Sequence, residues 1–167
     1  MNKLLLVIDM QNDFRDGKLP VKGCDEIVMP IKNFVENYDG DYIFTQDTHS
    51  KRRKHTVEND TLPRHCTNNL SGHFIVPELK DLAQGHTLKV WDSFNKGRDL
   101  KIPYTSTIQI DICGVCTDIC VICTALFLRS KLPFAKIVVH KDLCKGLTEE
   151  GHNAALTVMK NCLIEVV

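Results

Sequence analysis

Cys120 lies in Gly114-Val115-Cys116-Thr117-Asp118-Ile119-Cys120-Val121, just after an apolar run that ends at Val115. A helix opening near Thr117 puts Cys120 in its first turn, where unpaired backbone amides and the helix dipole favour a thiolate. The same amides can hold an oxyanion formed on an attacked carbonyl. Asp9 ends another apolar run, in Ile8-Asp9-Met10-Gln11-Asn12-Asp13-Phe14. A carboxylate directly after a buried strand costs desolvation unless it is paired, so it reads either as a turn or N-cap acid or as a paired, buried one. Lys89 ends a third run, before Val90-Trp91-Asp92-Ser93-Phe94. An ammonium there would stabilise the carboxylate and the thiolate together, and the alternative is an exposed strand-end lysine. Lys96 is a poor substitute, since it lies beyond the strand end.

Asp47-Thr48-His49 closes a further run, and His65 follows in Leu62-Pro63-Arg64-His65-Cys66. Two imidazoles and a carboxylate suit a divalent metal, zinc first, with iron or manganese as alternatives. Glu58 in the same loop could be a fourth ligand, with His55 as its rival; a merely solvated His-rich loop is the bland alternative. Cysteine chemistry of a different kind also needs weighing, because Cys113, Cys116, Cys120 and Cys123 fall close together. Cys116-x3-Cys120-x2-Cys123 has the spacing of an iron–sulfur site, and Cys113-x2-Cys116 resembles half a zinc site. Against both, Cys113 sits in a strand pattern and Cys123 inside a helical one, whereas a cluster needs a loop on which ligands converge. Cys113, Cys123, Cys144 and Cys162 read as buried apolar thiols.

The elements that must position these groups alternate. Lys3–Ile8 is rich in branched residues and reads as a strand buried on both faces. Helical spacing of Ile27, Val28, Ile31, Phe34 and Val35 predicts a helix over 25–38, with Pro30 marking its effective start. Further strands are expected at 41–45, 86–90, 107–115, 135–140 and 163–167. Helices are expected at 79–82, 118–130 and from an N-cap at Thr148 to 161. Residues 46–72 read as a long polar loop, a kind usually functional or disordered. The pattern predicts an α/β fold: three α/β/α layers around a central, mostly parallel six-stranded, Rossmann-like sheet in one domain over 1–167. Ligands of such sheets bind beyond the carboxyl ends of the strands, where Asp9, Asp47, Lys89 and Cys116 to Cys120 all fall.

Composition narrows the function classes. The chain has 167 residues, 43% hydrophobic and 25% charged, with 21 basic against 21 acidic side chains. That balance gives no electrostatic reason to expect nucleic acid or an anionic membrane as partner. The apolar run before Asp9 is shorter than the roughly 7–15 residues of a secretory leader, and no stretch reaches the ~18 apolar residues of a membrane span. A cytoplasmic protein is expected, and eight cysteines in a reducing compartment do not imply disulfides.

Together these motifs resemble the isochorismatase-like cysteine hydrolase family. The resemblance is carried by Asp-x-Gln-x-Asp-Phe from Asp9, Asp-x-His from Asp47, Lys89 before an aromatic-x-Ser-Phe segment, and Gly-Val-x-Thr-Asp-x-Cys-Val from Gly114. Asp47, His49, Glu58 and His65 look like the nicotinamidase branch. The resemblance implies a small-molecule amide substrate, nicotinamide first, cleaved at its linear C–N bond. It assigns Asp9 as proton acceptor and donor, Lys89 as charge balance and Cys120 as the nucleophile that forms a thioester. The amides of Cys116 and Cys120 would form the oxyanion hole, beside a cis peptide at Val115–Cys116. The metal would bind the pyridine nitrogen, and Phe14 would pack on the ring. His73 stands near the position where the family usually brings a stacking aromatic. The spacing from Lys89 to Phe94 is one residue shorter than in many relatives, and the association of copies into a homo-oligomer stays open. Two other readings remain: a hydrolase of another small amide or ureido compound, and a non-catalytic, cysteine-rich redox or metal-binding protein.

Overall fold

Leu5, Leu6, Val7 and Ile8 have no exposed surface, as a strand covered on both faces requires. This strand, β1 (Lys3–Ile8), pairs on one side with β2 (Asp41–Thr48) and on the other with β4 (Gln109–Val115). The computed structural model describes residues 2–52, 55–103 and 105–167. Among them β3 (Thr87–Trp91), β5 (Lys136–Lys145) and β6 (Glu165–Val166) complete a parallel sheet of order β3-β2-β1-β4-β5-β6. The strands are joined by α1 (Asn12–Arg15), α2 (Cys24–Glu36), α3 (Val57–Thr61), α4 (Lys80–Ala83), α5 (Ile122–Lys131) and α6 (Glu149–Asn161). The α/β expectation holds, with every pairing parallel.

The order reverses direction at β1. Right-handed crossovers therefore place α2 and α4 on one face and α5 and α6 on the other. The crevice opened by such a reversal lies past the carboxyl ends of β1 and β4, where Asp9 and Cys116 emerge.

Two elements differ from the sequence reading for physical reasons. Helix α2 begins at Cys24, behind Gly23 in the left-handed conformation (φ 80°), and runs through Pro30. Pro30 lies on the exposed face, so the carbonyl its ring leaves unpaired is on the solvent side. Strand β2 continues three residues beyond 45 because Gln46, Asp47 and Thr48 are buried despite being polar. The expected long loop is likewise built: His49 bridges Thr67 in parallel, and α3 forms behind Thr56, whose hydroxyl accepts the Asn59 N–H. At the far end, Thr148 Oγ1 caps α6 by accepting the Gly151 N–H at 3.0 Å. Cys113 and Cys144 are buried, Cys123 is half-buried, and Cys162 is exposed, contrary to its reading as a core thiol.

Candidate active site

Asp9 follows β1 with its backbone in the left-handed region (φ 49°). Its N–H donates to Thr45 Oγ1 at 3.1 Å, and that hydroxyl donates to Asp9 Oδ1 at 2.6 Å. Oδ2 is left facing Lys96 Nζ at 3.3 Å, and the Cys120 thiol lies against the same carboxylate. Asp9 and Lys96 are both fully buried. The ammonium also donates to Asp47 Oδ1 at 2.6 Å and to the Ser93 carbonyl at 2.8 Å.

Lys96, not Lys89, is the cation of this site. Lys89 sits on edge strand β3, is exposed, and reaches only Asn68 Oδ1 at 3.4 Å. The expectation placed on it is corrected: β2 stands between β3 and β1, whereas the loop after β3 crosses above the strand ends. That loop is anchored where the Lys96 N–H donates to Thr124 Oγ1 of α5 at 2.9 Å. Gly97 then passes so close to α5 that an added Cβ would stand 3.1 Å from Leu128.

The charges explain one another. Burial pulls the Lys96 ammonium down, but Asp9, the Cys120 sulfur when ionised, and Asp47 outweigh burial and hold it well above the ordinary lysine range. Burial raises Asp9 above the ordinary carboxylate range, against the pull of Lys96. Burial also pushes the Cys120 thiol well up; Lys96 opposes this, while Asp9 and Asp47 add to it. Burial thus favours the neutral form of both groups, and the carboxylate stands beside the thiol.

Asp47, His49, Glu58 and His65 meet next to this trio, their ligand atoms all within 4.8 Å of one another. His49 Nε2 is 2.9 Å and His65 Nε2 3.3 Å from Asp47 Oδ2; their distances to Glu58 Oε1 are 3.5 and 3.7 Å. Each imidazole is oriented from behind. His65 Nδ1 donates to the Pro63 carbonyl at 2.7 Å, and His49 Nδ1 lies 3.2 Å from Asp92 Oδ1. Both partners are acceptors, so the proton belongs on Nδ1 and the Nε2 lone pairs point into the group. Burial alone would make His49 less basic; Asp47, Glu58 and Asp92 override that and raise it to about 9, which reflects surplus negative charge. The donor set fits a divalent cation. His55 is outside it, exposed and 3.4 Å from Asp60. Replacing Asp92 with alanine should weaken metal binding by about 10–100-fold, read by competition against a chromophoric chelator; unchanged affinity would remove Asp92 from this role.

The acidic motif after β1 builds the metal group as well as the base. Gln11 Oε1 accepts the Asp47 N–H at 2.8 Å, and its amide donates to the Asp47 carbonyl at 3.0 Å. Asp13 Oδ2 accepts the Cys66 N–H at 2.7 Å, pinning the segment that carries His65. Gly72 is required there, since a Cβ would stand 2.1 Å from the Asp13 carboxylate.

A cavity joins the two clusters. It is lined by Phe14, Leu19, Leu62, Phe94 and Ile119, by Cys116 and Cys120, and by Asp47, Glu58 and His65. The Phe14 ring is 5.6 Å from the His65 ring. Phe94 belongs to the loop of Lys96 and was not singled out from sequence. His73 does not line this cavity: it is buried, with Nε2 3.0 Å from Thr48 Oγ1, and its carbonyl accepts from Gln11 and Gln46. Its expected ring-stacking place is therefore corrected to a bracing one. The Val115–Cys116 peptide is cis, and the Cys116 carbonyl accepts the N–H groups of Ile119 and Val121, starting the turn that leads into α5. The amides of Cys116 and Cys120 belong to that turn.

Comparison with known proteins agrees with this geometry. A family model described as the isochorismatase domain matches residues 3–167. An isochorismatase family protein PncA of Bacillus subtilis is 32% identical, covering 98% of this chain and 97% of that protein. The crystal structure of nicotinamidase/pyrazinamidase PncA from Bacillus subtilis superposes with a TM-score of 0.77 at 26% identity, covering 100% of both chains. A pyrazinamidase of Pyrococcus horikoshii, solved in complex with zinc, gives a TM-score of 0.78 at 25% identity, covering 100% of this chain and 99% of that one.

Proposed function

The chain belongs to the isochorismatase domain family, and from that premise we propose that it hydrolyses nicotinamide to nicotinate and ammonia through a thioester on Cys120. The observation that carries this reading is the meeting of Asp9, Lys96 and Cys120 beside a cavity that Cys120 lines together with Asp47, Glu58 and His65.

Asp9 takes the thiol proton as sulfur attacks the carboxamide carbon. Lys96 holds the paired negative charges, so neither needs water inside the cavity. The carbonyl oxygen becomes an oxyanion facing the amides of Cys116 and Cys120; one such donor is worth roughly 3 kcal/mol. When the tetrahedral adduct collapses, Asp9 returns its proton to the departing nitrogen and ammonia leaves. Asp9 then accepts a proton from the water that attacks the thioester; the C–S bond breaks, nicotinate is released, and the proton on Asp9 returns to the Cys120 sulfur.

Asp47, His49, Glu58 and His65 would hold the divalent cation, zinc by their mixed nitrogen and oxygen donors, with iron or manganese as alternatives. When bound, that ion supplies a Lewis acid for the pyridine nitrogen. Phe14 and Phe94 confine the ring, and the carboxamide is thereby turned toward Cys120. The setting we propose is cytoplasmic NAD salvage. No helix among the described residues is long and apolar enough to cross a membrane.

The test is ammonia release from nicotinamide, pyrazinamide and short aliphatic amides, before and after chelation. Turnover of the two aromatic amides that falls on metal removal and returns with added zinc supports the reading. Chelator-insensitive turnover of aliphatic amides would overturn it.

A further inference from the structure

Two cysteines stand on one cavity. Cys116 stands at the cap of the turn with extended backbone (φ −91°, ψ 141°), and Cys120 follows four residues later. Both line the cavity. At an ordinary helix start, a Cys-x-x-Cys pair puts one sulfur at the cap and the second a turn later, the arrangement of dithiol–disulfide redox sites. Here the turn is wider by one residue, because the Val121 N–H reaches back five positions to the Cys116 carbonyl at 3.0 Å. An extra residue in the turn moves the facing position from the third to the fourth residue after the cap. The Cα–Cβ bond of a helical residue tilts toward the N-terminus, so Cys120 leans back over the turn that Cys116 opens. Residues a turn apart hold their Cβ atoms about 5–6 Å apart, against roughly 3.8 Å in a disulfide. Closure on that spacing brings the two Cβ atoms together by roughly 1–2 Å.

No other cysteine lines the cavity: Cys113 is fully buried within β4, and Cys24, which lies close enough to Cys116 to act on it, is off the cavity wall, as are Cys66 and Cys123. We propose that Cys116 is a resolving thiol for Cys120, and that a hydroperoxide entering the substrate cavity closes the pair into a reversible disulfide. The proposal rests on the reading of Cys120 as the nucleophile, since the route that admits the amide also admits the peroxide. In the first step Cys120 sulfur attacks the peroxide; an S–O bond forms, the O–O bond breaks, and the leaving oxygen departs with the proton that the Cys120 thiol gives up. Cys120 is then a sulfenic acid. In the second step Cys116 loses its proton and attacks that sulfur; the S–S bond forms, the S–O bond breaks, and the hydroxide leaves as water with the proton from Cys116. The two sulfurs give up the two electrons that the peroxide gains.

The test treats the metal-loaded enzyme with limiting hydrogen peroxide and reads intact mass, peptide fragmentation and activity. The expected product is lighter by two hydrogens, and its peptide spanning 102–129 gives no backbone fragments between 116 and 120 until reduced. Its activity is down by at least about tenfold and is restored by dithiothreitol. In Cys116→Ser, given at least two equivalents of peroxide and measured against its own untreated activity, Cys120 should instead gain two oxygens, and dithiothreitol should not restore it. Wild-type protein that passes directly to the two-oxygen product, or that links Cys120 to a different cysteine, overturns the proposal. Mass and fragmentation decide this even if nicotinamide proves not to be hydrolysed, so failure of the functional reading is told apart from failure of the thiol pairing.

Discussion

Lys96→Met should lower kcat/KM for nicotinamide by about 10³-fold, while Lys89→Met should leave it within about threefold of the parent. The asymmetry follows from burial. Lys96 is the buried cation between two carboxylates, 3.3 Å from Asp9 and 2.6 Å from Asp47. Removing one partner of a buried charge pair costs about 3–5 kcal/mol, and about 1.4 kcal/mol is a decade in rate. Without the ammonium, Asp9 and Asp47 repel each other, Asp9 holds a proton it should be free to accept, and the thiolate loses its counter-charge. Part of the cost falls on folding, so a thermal melt accompanies the kinetics and rates are referred to the folded fraction. Lys89 is exposed and bonds a single side chain weakly, and exposed contacts of that sort contribute about 0–1 kcal/mol. A severe loss in Lys89→Met with normal Lys96→Met turnover would reverse the assignment.

Asp9→Asn should cost about 10²–10⁴-fold, the usual worth of general acid–base action. Its pH profile carries the more specific sign. Burial raises Asp9 above the ordinary carboxylate range, and the base works only when ionised. Parent activity should therefore fall on the acid side at a pH above the ordinary Asp value of about 3.9, and residual Asp9→Asn activity should lack that limb. Asp9 and Cys120 act as a unit, so Asp9→Asn combined with Cys120→Ser should be no slower than Cys120→Ser alone. Additive losses, or an acid limb that persists in Asp9→Asn, would mean that another group removes the thiol proton. The isosteric amide keeps the hydrogen bond from Thr45 Oγ1 to its oxygen, so the fold around β1 should survive.

Much of the site was legible because its residues stand at positions the backbone fixes. Asp9 and Cys116 follow apolar runs, and a doubly covered sheet leaves few other places for polar groups to meet. Asp47, His49, Glu58 and His65 were readable as a donor set, although their convergence depends on Gln11 and Asp13, which brace Asp47 and the His65 segment from β1's far end. Lys96 was not legible by the same logic. A lysine beyond a strand end looks solvated, and only the fold of the 92–97 loop onto Thr124 and Leu128 buries it. The extension of β2 was hidden for a related reason: Gln46, Asp47 and Thr48 look like loop residues, yet Gln46 is bonded to the His73 carbonyl and Asp47 to Gln11 and Lys96. His73 was read for its ring, whereas its backbone carbonyl does much of the bracing. In each case the missing information was which side chain pays no desolvation penalty because a distant segment supplies its partner.

The most direct test is ammonia release from nicotinamide by metal-loaded Cys120→Ala beside the parent, with circular dichroism and metal content measured on the same samples. The expected result is a folded, metal-binding protein with no detectable turnover. Turnover near the parent rate in that protein would contradict the role of the Cys120 sulfur as the attacking atom.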